Sequence, residues 1–172
     1  MASVLLLLGV QRNMLAPPAP VAGAAAVSAA IEGLLGRARA AGSLIVHVRN
    51  CGVAGDPDEQ GTPGWELIHE VRDGEHVVDK AEPDAFAGTG LASLIPPGSG
   101  VVVAGLQSEF CVRATARAAL ARGHRVALAR GAHGTYEARV PRETEAELRV
   151  LGVTVVDAEA VRFEKSRADA GS

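Results

Sequence analysis

Three times in this chain a stretch of helical length ends in glycine and passes at once into a short aliphatic run: Gly42 before residues 43–48, Gly123 before 124–129 and Gly152 before 153–156. Glycine tolerates the left-handed conformation that closes a helix, so each marks a C-cap with a strand behind it. Helix followed by strand, repeated, is the βαβ unit, whose strands run parallel and whose sheet is covered on both faces. Six apolar, β-branched runs fit that scheme: residues 3–9, 43–48, 75–79, 100–105, 124–129 and 153–156. Helices are predicted over 21–41, 111–122 and 141–151, the last with Pro141 at its first position and Glu143 and Glu145 in its first turn. The fold expected is a doubly wound, three-layer α/β/α domain with a parallel sheet of about six strands. It occupies residues 1–172 as one domain, with a polar, frayed tail after about residue 164.

Composition narrows what such a domain does. Aromatic residues are 3% of the chain, so Val, Leu, Ala and Ile must fill the core. A formal net charge of -3 supplies no basic stripe, which argues against nucleic acid and membrane surfaces as partners. Cys51 and Cys111 are too few for a disulfide framework and suit a reducing compartment, so a cytoplasmic location is expected. The apolar start, Val4 to Leu8, has no Lys or Arg before it and is too short to span a bilayer. A buried first strand accounts for it.

Two segments break the pattern. Arg49 to Gly64 is rich in Gly, Asp and Pro and too long for an ordinary connection, as functional loops are. Ala81 to Gly100 carries Pro83, Pro96 and Pro97.

The chemistry concentrates in residues 101–120, VVVAGLQSEFCVRATARAAL, read as a buried strand, a turn at Gly105 and a helix beginning at Cys111. A thiol at a helix N-terminus feels the positive end of the macrodipole, which favours the thiolate. In an open parallel sheet the reactive crevice lies beyond the carboxyl ends of the strands, where this segment puts Cys111. The plain alternative is a small buried apolar residue, and position alone does not separate the two.

This segment resembles the nucleophile segment of the isochorismatase-like cysteine hydrolases through Gly105, Leu106, Gln107, Ser108, Glu109, Phe110, Cys111, Val112, Thr115 and Ala116. A second matching element is a lysine closing the third strand, followed by Phe and a Gly-Thr-x-Leu turn: Val77, Val78, Lys80, Phe86, Gly88, Thr89 and Leu91. The resemblance implies a site in which Cys111 attacks a carbonyl-type carbon and Lys80 holds the charges. Hydrolysis of the thioacyl intermediate follows. It also implies an oxyanion hole from the amides of Gln107 and Cys111, and a cis peptide between Leu106 and Gln107. The family's first strand ends in Asp-x-Gln-Asn, whereas this chain reads LLLLGVQRNML: Gln11 and Asn13 align, and Gly9 stands at the aspartate's position. Glycine has no proton acceptor to offer. Glu109 is a weak candidate to replace it, and Lys80 an alternative base. Gly9→Asp is therefore expected to restore both a base and a counter-charge.

Relatives that act on nicotinamide carry an Asp-x-His and a further His after the second strand. Here Asn50 to Pro63 offers Asp56, Asp58 and Glu59 but no histidine, while His47, His69, His76, His124 and His133 are scattered. No metal and no cofactor is expected. Gln11, Trp65, Phe86 and Phe110 are candidates for the substrate pocket, with Trp65 alternatively a subunit-interface anchor, and Tyr136 carries the same two readings. Arg49 is expected to pair with a local carboxylate. The resemblance further implies a homo-oligomer in which the 49–64 loop helps to close a neighbour's site.

The leading expectation is thus a metal-free cysteine hydrolase of a small amide or other C–N bond. The alternative, which Gly9 favours, is a lapsed enzyme that keeps the fold for small-molecule binding or assembly. A dinucleotide binder is excluded by the lack of a Gly-rich phosphate loop after the first strand.

Overall fold

The computed structural model describes residues 1–167. Six strands, β1 (Val4–Leu8), β2 (Leu44–Asn50), β3 (His76–Lys80), β4 (Gly100–Leu106), β5 (Arg125–Gly134) and β6 (Thr154–Asp157), form one sheet in the order β3-β2-β1-β4-β5-β6. Every pairing is parallel. The helices are α1 (Arg12–Leu15), α2 (Ala24–Ala41), α3 (Leu91–Leu94), α4 (Arg113–Ala121) and α5 (Val140–Leu151).

An all-parallel sheet needs apolar cover on both faces, and β1 shows how the sequence supplies it. Val4, Leu6 and Leu8 face one core with Ala116 and Ala119 of α4 and Leu148 of α5. Leu5 and Leu7 face the other, with Val27, Ile31, Leu34 and Leu35 of α2. All five β1 residues are buried. Burying one such leucine contributes roughly 1.5–3 kcal/mol, so this strand anchors both layers. Gly42 and Gly152 cap α2 and α5 in the left-handed conformation, as their places in the sequence predict.

Strand order reverses between β1 and β4, and the crevice at their carboxyl ends is where such sheets hold ligands. The helix after β4 differs from the sequence reading. It opens at Ser108 with one wide turn, Ser108–Val112, before α4 begins at Arg113. Cys111 therefore lies within that turn, not at the first residue of the helix. Strand β5 is also longer than predicted and reaches Gly134 at the same edge.

The tail is pinned rather than frayed as far as it is described. The Glu164 amide donates to the Ala2 carbonyl (2.8 Å), Ser166 to that of Gly42 (3.1 Å), and Ser43 Oγ to the Glu164 carbonyl (2.8 Å). Residues 168–172 lie outside the described residues.

Candidate active site at the carboxyl edge of the sheet

Lys80 closes β3 and is 3% exposed, so its ammonium must find its partners inside the protein. It donates to Asn50 Oδ1 (2.9 Å), to the Glu82 carbonyl (2.9 Å) and to Cys111 Sγ (3.0 Å). None of these three is a carboxylate. The one partner able to carry a full negative charge is the sulfur. A cysteine sulfur held against a buried ammonium makes Cys111 the candidate nucleophile of this edge.

Around the sulfur is a small cavity of about 110 Å³, lined among others by Gly9, Gln11, Asn50, Gln107, Phe110 and Cys111. The Leu106–Gln107 peptide at its edge is cis. The turn bearing Cys111 is anchored from below: Ser108, fully buried, bonds His133 Nδ1 (2.8 Å), and His133 Nε2 meets Glu145 Oε1 (3.2 Å). Burial pushes His133 below its usual value, although Glu145 pulls it upward.

A family model for the isochorismatase domain matches residues 3–160, nearly the whole chain. The chain belongs to the isochorismatase family. Among its relatives is a streptothricin hydrolase of Streptomyces noursei, 47% identical over 137 residues, which make up 77% of this chain and 50% of that protein. A second streptothricin hydrolase of the same organism is 52% identical over 108 residues, 60% of this chain and 43% of that one. The chain thus spans about half the length of the curated relatives it matches. Among solved structures, an isochorismatase family protein of Desulfovibrio vulgaris superposes with a TM-score of 0.82 at 29% identity, over 93% of this chain and 96% of its own. An N-carbamoylsarcosine amidase of Thermoplasma acidophilum, at 23% identity and a TM-score of 0.83 over 94% and 99%, shares the fold.

At the position of the isochorismatase pattern's aspartate, Gly9 has a backbone that favours glycine. Its φ is +58°, and a Cβ there would lie 2.8 Å from the Leu106 carbonyl oxygen. A carboxylate put back at this position would bring strain that the reading from sequence did not count. Glu109 does not fill the gap either: its Oε1 accepts from Thr135 Oγ1 (2.8 Å), and it is absent from the cavity lining.

The pocket candidates separate. Phe110 is 55% exposed and walls the cavity beside Cys111. Gln11 also lines it but spends its amide on the scaffold: Nε2 donates to the Asn50 and Trp65 carbonyls, and Oε1 accepts from the Asn50 amide. Phe86 is a correction: at 5% exposed it belongs to the core, with the Arg122 guanidinium over its ring. Trp65 does not line the cavity; Arg49 stacks on it at 3.6 Å, and its Nε1 donates to Cys51 Sγ (3.3 Å). Arg49 pairs with Asp79 through two bonds of 2.7 and 3.0 Å, the local carboxylate expected. Tyr136 is 49% exposed, its hydroxyl donating to the Ala19 carbonyl (3.1 Å).

Sequence reasoning missed Asn50, whose side chain bridges Lys80 to Asp58. It weighed Asp58 only as a metal ligand. Among the described residues no group of three or more His, Cys, Asp or Glu is arranged to hold a metal ion. No helix among them is long and apolar enough to cross a membrane.

Proposed function

We propose that this chain is a cysteine hydrolase of a small amide or other C–N bond, working through a thioacyl intermediate on Cys111. The observation that carries the reading is the 3.0 Å contact between the buried Lys80 ammonium and the Cys111 sulfur. The ammonium holds the sulfur in place, and where water is scarce it offsets the negative charge that the sulfur carries as it attacks. The amides of Gln107 and Cys111 are assigned to the developing oxyanion, and Phe110 to the outer wall of the acyl pocket. A cavity of about 110 Å³ suits a small acyl group at the sulfur, with the remainder of the substrate outside. The reading needs no metal: the 50–63 loop offers carboxylates but no histidine. Kinship to proteins named streptothricin hydrolase supports hydrolysis as the reaction class.

A second reading follows from Gly9. A site without its strand-borne acid is also what a lapsed enzyme kept for binding would have. Turnover of small amides, carbamoyl compounds and activated esters by wild type and by Cys111→Ala decides between them. The hydrolase reading requires turnover that the variant abolishes, with iodoacetamide labelling Cys111 before Cys51 at neutral pH. Substrate-sized ligands bound without turnover would leave the binding reading.

A further inference from the structure

We propose that Asp58, carried back to the sheet edge by the loop after β2, is the proton-transfer group of this site and does the work of the carboxylate that Gly9 lacks. This rests on the hydrolase reading above.

The loop holds three acids, and their surroundings differ. Asp56 is exposed and its Oδ2 accepts from the Val53 amide (3.2 Å). Glu59 turns its Oε2 to the Gly55 amide (2.9 Å). Both serve the loop's own turns. Asp58 is 8% exposed and lines the same small cavity as Cys111. The Gly52 amide donates to the Asp58 carbonyl (3.0 Å), which folds the loop back on itself. A carboxylate buried this far needs a reason to be there.

Its partners supply one. Asn50 Nδ2 donates to Asp58 Oδ2, while Asn50 Oδ1 accepts from Lys80 Nζ, which in turn reaches Cys111 Sγ. One side chain thus links the acid to the ammonium–sulfur pair. The other oxygen, Oδ1, sits over Gly52 so closely that a Cβ there would lie 2.2 Å away. Any larger residue at position 52 would push the carboxylate out of its place.

The reaction balances with Asp58 in this role. Its carboxylate takes the Cys111 thiol proton across the cavity, leaving the thiolate opposite Lys80 and the acid form at Asp58. The sulfur attacks the acyl carbon, the C–N bond breaks, and Asp58 gives its proton to the departing nitrogen. Water then attacks the thioester and passes a proton to the Asp58 carboxylate. The C–S bond breaks, the acid product leaves, and Asp58 returns its proton to the sulfur, which restores the starting thiol and carboxylate. No step moves a proton at Lys80.

The acid step matters for an amide and little for an ester whose leaving group departs as a stable anion. The test therefore compares acetamide with p-nitrophenyl acetate, which form the same acetyl-enzyme, in wild type, Asp58→Asn and Gly52→Ala. Asp58→Asn is expected to lower acylation by acetamide about 10²- to 10⁴-fold, the usual worth of a positioned acid or base. The ester should still release about one equivalent of nitrophenolate in a burst before turnover stalls. Gly52→Ala, which keeps the acid but displaces it, should show the same split. Acetamide turnover within about threefold of wild type in folded Asp58→Asn overturns the proposal. So does equal loss with both substrates in whichever variant folds. If wild type turns over neither probe, the hydrolase reading fails on its own, and Asp58 is judged by the pH profile of Cys111 alkylation. Removing a neighbouring negative charge should move that profile toward lower pH. An unmoved profile overturns the placement.

Discussion

Replacing Gly9 by alanine should destabilise the chain by about 2–4 kcal/mol, because two independent features of the position oppose a side chain. The φ of +58° puts an L-residue in the left-handed region, at a cost of about 1–2 kcal/mol. The Cβ would also meet the Leu106 carbonyl oxygen at 2.8 Å, with both strand ends fixed by the β1–β4 ladder. Relief through bond angles costs about 1 kcal/mol for each deviation near 7°, and one or two are needed. For a domain of this size 1 kcal/mol corresponds to about 2–4 °C, so the midpoint should fall by roughly 4–16 °C. Thermal unfolding followed by circular dichroism, on wild type, Gly9→Ala and Gly9→Asp, measures both terms. The alanine variant reads the backbone cost, and the difference between the variants reads what a carboxylate recovers against Lys80. A Gly9→Ala midpoint within about 1 °C of wild type would refute the reasoning, since neither strain nor contact would then be present.

Two further outcomes follow from the buried polar groups. Burial pushes the Glu75 carboxyl up, but hydrogen bonds from Arg39, the Arg72 amide and His47 outweigh it and hold it down to about 2. The stability it contributes is complete above its ordinary value of 4.5 and is lost as pH falls toward 2. Glu75→Gln should cost about 1.5–3 kcal/mol at neutral pH and flatten the acid limb of a plot of urea midpoint against pH. His133 has the same sign: its folded value is depressed, so its contribution is full above 6.5 and fades below. His133→Gln should therefore lose less stability than wild type between pH 7 and 5, measured by urea titration.

The parts of this molecule legible from sequence are those governed by periodicity and local chain chemistry. All six strands stand within a few residues of the aliphatic runs that predict them, because a parallel sheet admits nothing else in those runs. Lys80 and Cys111 meet because one ends a strand and the other follows one at the same edge of the sheet. What escaped is set by the path of irregular backbone. Asp58 reaches the cavity only because the loop doubles back through Gly52, and no period marks such a return. Phe86 was misjudged for a related reason: its neighbours read as a loop, yet the segment dips into the core beside Leu91. The wide turn at Ser108 displaced the expected helix start by three residues, since propensity does not distinguish it from an ordinary first turn.

The pairing of Ala2 with Phe163 gives this domain a seam at the amino end of the sheet, away from the small cavity at Cys111. There the first residues and the last described ones exchange backbone bonds, Ala2 to the Arg162 carbonyl (3.0 Å) and Glu164 back to that of Ala2 (2.8 Å). Cargo or a solid support attached there would leave the mouth of the pocket facing away. The domain can therefore be immobilised from its amino edge without touching the residues around Cys111.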